Sequence, residues 1–283
     1  MTHSTNLPQP ALWLITGASS GIGLALAEHV LEQGERVVLA ARNVDAMQQV
    51  ASRYPERAVV VRFDAARPEQ IDGTVREIEA RVGPIDVLVN NAGYGYVSAI
   101  EEGKASDVQR LFDVNFFSAA ALIRAVLPGM RARRRGMIVN VSSVAGVVAS
   151  AGLGYYAATK FALSGLTEAL WQEVEPFGIG VMLVEPGRVR TAGRETSVKS
   201  EPLPAYADTV GAVRDWVAHG PESELIGDPA RVAEVILRTV RSEAPPHRLV
   251  LGSDAMTAIK TKLETMATEY AAVEPVAGTI AFH

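Results

Sequence analysis

The sequence contains no cysteine in 283 residues, which excludes disulfides, thiol catalysis and thiolate metal sites. Histidine is scarce too. His3, His29, His219, His247 and His283 are scattered, with no pair at metal-ligand spacing, so no metal site is expected. Neither sign of charge dominates. Lys and Arg number 27 against 32 Asp and Glu, a net charge of −5 that gives no general attraction for nucleic acid or an anionic membrane. The opening "MTHSTNLPQPALWLIT" has no basic segment followed by a long apolar run, so no signal peptide is read there. No stretch is read as long enough in apolar residues to span a bilayer. A cytoplasmic enzyme is the resulting expectation. The basic run "RARRRG" at 131–136 closes a helical stretch, where cations complement the helix C-terminal dipole.

What is present is an alternation. Short runs rich in Val, Ile and Leu occur at 11–16, 36–41, 58–63, 86–90, 137–142, 180–185 and 248–252. They do not alternate with polar residues, which marks strands buried on both faces. Helix-length segments lie between them at 21–33, 67–82, 107–133, 155–176 and 228–242, the last opened by Asp228 as cap and Pro229 in the first turn. This rhythm predicts an α/β fold, a doubly wound parallel sheet with helices on both faces. No linker or repeat divides residues 1–283, so one domain is expected. Residues 192–226, rich in proline, glycine and acidic residues, read as an insertion that serves as a lid or binding loop, with a mobile surface excursion as the alternative, and 253–283 as a C-terminal extension.

The first strand runs into "TGASSGIG", with Gly17, Gly21 and Gly23 at the turn and a helix beginning near Ile22. Glycines let a backbone approach a pyrophosphate, and the helix N-terminus supplies N–H donors and a positive dipole end. A tight turn without a ligand is the competing reading. The second strand ends "VVLAARN", with Ala41 where an acid would hold a ribose hydroxyl and Arg42 next. A guanidinium there suits a 2′-phosphate and favours NADP(H) over NAD(H). A solvated Arg42 capping the strand end is the alternative.

"TGASSGIG", "NNAG" at 90–93, "SS" at 142–143, "YAATK" at 156–160 and "PGRVRT" at 186–191 occur in this order. With these motifs the chain resembles the short-chain dehydrogenase/reductase family, in its single-domain branch. "YGYVSAIEE" and "PGRVRT" further resemble its 17β-hydroxysteroid-dehydrogenase-like and retinol-dehydrogenase-like subgroup. The resemblance implies a seven-stranded Rossmann sheet and hydride transfer between a nicotinamide cofactor and a carbonyl or alcohol. It also implies a homodimer or homotetramer, with the long helices at 107–133 and 155–176 offering faces. By position it implies Tyr156 as acid/base, Lys160 as its partner, Ser143 orienting the substrate oxygen and Asn115 completing the catalytic set. Gly17, Ser19, Ser20, Gly21, Ile22 and Gly23 would cradle the cofactor. Asn91, Ala92 and Gly93 would flank it, and Asp64 with Ala65 would meet the adenine. Pro186, Gly187, Val189 and Thr191 would hold the nicotinamide end.

The chemistry has its own logic. A phenol near pKa 10 is a poor base at neutral pH, so a cation such as Lys160 is expected to depress Tyr156. Ser143 can donate to the substrate oxygen where charge grows, and Asn115 can hold a water leading from Lys160 to solvent. On a helix, positions four apart share a face and positions five apart do not, which selects Tyr156 over Tyr155. Tyr94, Tyr96, Val147, Val148 and Leu153 are expected to wall an apolar substrate pocket. Arg188, Arg190 and Arg194 read as solvated or as binding cofactor phosphate, with an anionic substrate group as the alternative, and the tail 273–283 docks on a neighbour or is disordered. Two other functions remain: a catalytically silent NADP(H)-binding redox sensor, and an NAD-dependent epimerase or dehydratase.

Overall fold

In the computed structural model, residues 7–191, 193, 196–277 and 279 are described. Arg194, His3, His283 and most of the tail beyond 277 lie outside them. The described chain runs β1 (Leu12–Thr16), α1 (Gly21–Glu32), β2 (Arg36–Ala41), α2 (Val44–Ala51), β3 (Ala58–Arg62), α3 (Ile71–Arg81) and β4 (Val87–Asn90). It continues through β5 (Tyr96–Val97), α4 (Ala105–Phe112), α5 (Ser118–Arg133), β6 (Gly136–Val141), α6 (Gly154–Val174) and β7 (Ile179–Pro186). The last elements are β8 (Val198–Lys199), α7 (Ala207–His219), α8 (Pro229–Val240), β9 (Arg248–Leu251) and α9 (Ser253–Ala277).

Seven strands form one parallel sheet in the order β3-β2-β1-β4-β6-β7-β9. β5 and β8 make a separate parallel pair beside it. The apolar runs of the sequence find two cores because the sheet is covered on both faces. On β1, Trp13 and Ile15 join the core beneath α1, α2 and α8, while Leu12 and Leu14 join the one beneath α3, α5 and α6. Each such buried side chain contributes about 1.5–3 kcal/mol. The strand order reverses between β1 and β4, so a crevice opens at their carboxyl ends, where ligands bind in sheets of this kind.

Several expectations change. The single helix expected over 107–133 is α4 and α5 joined by a π turn at Asp113–Phe117, a distortion frequent at functional sites. Contrary to the expectation that no stretch is long and apolar enough to span a bilayer, Ala105–Arg133 passes that test by length and composition. It packs instead against α3 and α6, with Leu111, Leu122, Ile123, Val126 and Met130 buried. α2, α7 and α9 have no counterpart among the expected helices, and 192–226 contains β8 and α7.

The arginine run serves the fold. Arg133 Nη2 donates to Ile85 O at 3.0 Å, Arg134 Nη2 donates to Pro176 O at 2.7 Å, and Arg135 lies 3.6 Å from the Asp86 carboxylate. Asp228 caps α8, accepting from Ala230 N at 2.8 Å.

Candidate active site

At the crevice, the glycine turn is braced from the neighbouring strand. Thr16 Oγ1 donates to Val89 O and accepts from the N–H groups of Asn91 and Ala92 at 3.0 and 3.1 Å. Asn91 Nδ2 donates to Thr16 O at 2.9 Å and to Gly17 O at 3.4 Å. The Asn91 side chain is therefore spent on the turn itself, and Ala92 and Gly93 carry the chain onward past the crevice. A Cβ on Gly23 would sit 2.4 Å from Asn91 Nδ2 and 2.5 Å from Gly17 O, so only glycine permits this approach. Gly21 has φ +56, and a Cβ there would meet Thr191 Cγ2 at 3.1 Å, which places Thr191 across the turn.

Ser20 precedes α1 in an extended conformation and makes no side-chain cap bond, and no acidic residue occupies the first turn. The first-turn N–H groups are thus left for an anion, at a dipole end that favours one. These features fit a dinucleotide pyrophosphate over Ser19, Ser20, Gly21 and Ile22. The end of β2 touches the same turn, since Gly17 N donates to Ala40 O at 2.8 Å. Arg42, just beyond, is exposed and has no ion-pair partner among the described residues. Asp64 follows β3 and accepts from Ala66 N at 3.1 Å beside buried Ala65.

The second half of the crevice is set by β6 and α6. Ser143 lies two residues past the strand and caps a short turn, accepting from Ala145 N at 3.1 Å. Tyr156, in the first turns of α6, stands by the Ser143 side chain, which acts to lower its pKa. One turn on, Lys160 is 5% exposed; its Nζ donates to Val141 O at 3.0 Å and lies 5.8 Å from the Tyr156 ring centroid. Asn115 projects from the π turn. Its Nδ2 donates to Tyr94 O and Thr159 Oγ1, and its Oδ1 accepts from Tyr94 N at 3.0 Å. Asn115 Oδ1 and Lys160 Nζ both lie against Gly93. Ser143, Tyr156, Lys160 and Asn115 are thereby brought to one place, next to the cradle.

The electrostatics of this group differ from the expectation. Burial raises the Tyr156 phenol above its ordinary value, and Ser143 only partly offsets this. Burial also lowers Lys160 to about 8. The cation meant to depress the phenol is itself weakened, because both groups share one desolvated site. The phenol, raised by desolvation in the half-buried crevice, is therefore held protonated.

The turn after β7 divides into different tasks. Pro186 ends the strand, and Gly187 lies under the Asp254 carboxylate, which also accepts from Arg188 N at 2.9 Å. Val189 is bridged to Gly227, whose carbonyl accepts from Arg190 N at 2.8 Å. Arg188 pairs with Glu224 at 3.0 Å and stacks over Trp216, so its cation is already engaged. Asp254, contributed from α9, was not among the residues expected here.

The rim beside the start of α6 holds a second unexpected cluster. Glu102 is buried, accepting from Ala99 N at 2.6 Å, Leu203 N at 2.8 Å and Ser200 Oγ at 3.1 Å, and pairing with Arg214. Burial pushes this carboxyl up, but the bonds from Leu203, Ala99, Arg214 and Ser200 outweigh it and hold it at about 2. This clamp ties the segment after β5 to α7. Tyr155 belongs to the same rim: its hydroxyl donates to Ile100 O at 2.8 Å, and its ring packs on Gly103 and edge-on to Tyr96. Tyr96, expected as a pocket wall, is buried beneath it at 1% exposure. Tyr94, Val147, Val148 and Leu153 are partly exposed.

Comparison with known proteins decides the family. The short chain dehydrogenase profile matches residues 11–202. The chain belongs to the short-chain dehydrogenase family. Among its relatives, retinol dehydrogenase 8 of Bos taurus is 36% identical over 84% of this chain and 80% of its own length. The 3-ketodihydrosphingosine reductase of Bacteroides thetaiotaomicron is 35% identical over 86% of this chain and 88% of its own. A solved short-chain dehydrogenase from Streptomyces avermitilis superposes with a TM-score of 0.90 at 41% identity, covering 96% of this chain and 98% of that one. More distant structures share the fold, one holding 5-hydroxy-NADP at 23% identity and one holding NAD at 24%. The chain is accordingly an oxidoreductase of alcohol and carbonyl groups in a family whose members bind NAD(P). Its substrates are small molecules.

Proposed function

We propose that this short-chain dehydrogenase is an NADP(H)-dependent reductase of an apolar ketone or aldehyde, with Tyr156 as proton donor. The observation that carries this reading is the meeting of Ser143, Tyr156 and Lys160 at the same carboxyl end of the sheet as the glycine cradle. The nicotinamide, when bound, supplies or accepts the hydride. The chain's own residues do the rest. Ser143 donates to the carbonyl oxygen as negative charge grows on it. Tyr156, kept protonated by burial, gives its proton to that oxygen as general acid. Lys160, with a pKa of about 8, is charged at neutral pH and stabilises the phenolate left behind. Asn115 fixes the chain after β4 through Tyr94 and, with Lys160, faces the route by which a proton returns from solvent.

Cofactor contacts are assigned to the cradle residues Gly17, Ser19, Ser20, Gly21, Ile22 and Gly23, to Ala92 and Gly93, to Asp64 and Ala65 at the adenine, and to Thr191 across the turn. Asn91 and Gly187 act through packing, and Pro186 and Val189 shape the turn. NADP(H) is favoured because Arg42 stands exposed at the cradle edge, where a guanidinium matches a 2′-phosphate. An apolar substrate is favoured by the rim residues Tyr94, Val147, Val148 and Leu153. It is also favoured by two relatives whose names specify retinol and 3-ketodihydrosphingosine. We further propose a cytoplasmic homodimer or homotetramer formed through α4–α5 and α6, where Phe117 and Phe161 are exposed. Sedimentation and cell fractionation test these two points.

The direct test is a cofactor-linked absorbance screen of apolar aldehydes, ketones and alcohols with both phosphorylated and unphosphorylated dinucleotides. Turnover with NADPH and a long-chain ketone is expected. Arg42→Ala is expected to erode the NADPH preference by about ten-fold, the worth of one charge-assisted contact. A native preference for NADH overturns the Arg42 assignment. Cofactor binding without turnover across the panel favours the silent sensor.

A further inference from the structure

The buried face of α6 carries two threonines, Thr159 and Thr167, each 0% exposed. Both sit in the same chain of bonds. Thr159 Oγ1 donates to Tyr156 O at 2.7 Å and accepts from Asn115 Nδ2 at 3.2 Å. Thr167 Oγ1 donates to Leu163 O at 2.6 Å and accepts from Asn140 Nδ2 at 2.8 Å. A hydroxyl that has given its one proton to its own helix can only accept from the asparagine. Each amide therefore turns its nitrogen, not its oxygen, towards α6. Apolar packing leaves a helix some freedom to rotate and slide, whereas a satisfied buried polar network specifies one arrangement. The two chains end in different places. Asn140 lies in β6 and accepts from Asn90 Nδ2 at 2.8 Å, inside the sheet. Asn115 lies on the π turn, at the crevice.

The bond between Thr159 and Asn115 joins the π turn to the turn of α6 that carries Tyr156 and Lys160. Thr159 directly precedes Lys160 in the chain and holds the carbonyl of Tyr156. The other half of the Asn115 amide is taken by Tyr94, whose N–H donates to Oδ1 and whose carbonyl accepts from Nδ2, both at 3.0 Å. With both Nδ2 protons committed, the amide cannot flip. Its oxygen is left on the side of Lys160: Asn115 Oδ1 and Lys160 Nζ lie 3.2 and 3.6 Å from the Cβ that Gly93 lacks.

We infer that Thr159 is a positioning residue for the reaction, holding Asn115 Oδ1 beside Lys160 and locking the π turn to the helix that carries Tyr156. The assignment rests on the reductase reading above. Thr159 touches no reacting atom and acts through Asn115 and through α6. Without its hydroxyl, one N–H of Asn115 is left unpaired in a buried site, Asn115 being 2% exposed. Relief requires the amide to turn or the π turn to open, and either movement takes Oδ1 away from Lys160. A displacement of about 1 Å at such a group is enough to cost roughly a hundred-fold in rate. Thr167 supplies the matched comparison. It makes the same bonds on the same helix, but about 16 Å along the axis from Tyr156.

The test compares Thr159→Val, Thr159→Ala, Thr159→Ser and Thr167→Val in the full chain. NADPH binding certifies folding, and NADPH-linked kcat and KM are measured with the most active carbonyl of a screen that includes decanal. Thr159→Val and Thr159→Ala are expected to lose about ten- to a hundred-fold in kcat, with NADPH affinity and substrate KM within about two-fold of native. Thr159→Ser, which keeps the hydroxyl, is expected to restore kcat to within about three-fold. Thr167→Val is expected to melt lower, as Thr159→Val does, yet to keep kcat within about two-fold. Hydrogen exchange at the Tyr94 amide, held by Asn115 Oδ1, is expected to quicken about ten-fold in Thr159→Val and not in Thr167→Val. Equal kcat losses in Thr159→Val and Thr167→Val, no rescue by serine, or unchanged exchange at Tyr94 make Thr159 a packing residue and overturn the assignment. An active wild type with unimpaired Thr159→Val overturns this assignment alone. A wild type inactive across the whole screen overturns the reductase reading and this assignment with it.

Discussion

The two sides of the crevice are built by different means. The glycine cradle is made of backbone. Glycines at the end of β1 let the chain close on itself, and Thr16 and Asn91 tie the carbonyls of that turn to the next strand. The rim around Tyr155 is made of side chains from distant segments, held by one buried ion pair, Glu102 with Arg214, and by Tyr155 over Gly103. A backbone cradle tolerates no added atom, whereas a side-chain clamp depends on both of its charges being present. The first arrangement suits a constant ligand and the second lets the rim vary with the substrate.

The clamp offers the largest effect. Glu102→Gln leaves Arg214 without its anion in a buried site, a loss of about 3–5 kcal/mol. A lower melting temperature and a raised substrate KM are expected, with cofactor affinity intact. Equal loss of cofactor binding would show that the two sides are not independent. Because Glu102 is held at about 2 from an ordinary value of 4.5, the stability it contributes is complete above pH 4.5. That contribution is lost as pH falls toward 2, and the Gln variant should lack this acid sensitivity.

Lys160 is expected to show the opposite sign. Its pKa falls from 10.5 to about 8 on folding, so below pH 8 its buried charge costs about 3 kcal/mol. Lys160→Met is expected to melt at a higher temperature than the native chain at pH 7, less the roughly 1 kcal/mol lost with the bond to Val141 O. The advantage should shrink between pH 8 and 10.5, as the native chain folds without that proton. Turnover in the same variant is expected to fall steeply. A less stable variant with the same pH profile would mean that Lys160 is not buried charged.

The smallest of these effects probes the cradle. In Gly23→Ala the new Cβ meets Gly17 O and Asn91, an overpacking of about 1–3 kcal/mol. Dinucleotide affinity is expected to drop by roughly ten- to a hundred-fold, read by fluorescence titration. Substrate specificity should stay unchanged, since the clamp is untouched.

Much of the cradle was legible because its information is local. Apolar runs give strands, glycines at a strand end give the turn, and Tyr156 with Lys160 four residues on gives a shared helix face. The clamp was not legible, because Glu102 lies about a hundred residues from Ser200 and Arg214 and each reads alone as a surface polar residue. α7 went unread inside a segment punctuated by prolines and glycines. The π turn escaped notice because a helix pattern does not reveal one extra residue per turn. The upward shift of Tyr156 was not legible for a related reason. Residue types show which charges are near, but burial, a property of the fold, decided the balance.

The central claim is that Tyr156, and not its neighbour, delivers the proton. It is tested by measuring NADPH-linked turnover and cofactor binding in Tyr156→Phe and Tyr155→Phe side by side. Tyr156→Phe is expected to lose at least about a hundred-fold in turnover while binding cofactor normally. Tyr155→Phe is expected to lose only the bond to Ile100 O, about 1 kcal/mol of stability, and to turn over within a few-fold of the native chain. An active Tyr156→Phe, or an inactive Tyr155→Phe that still folds, would contradict the account.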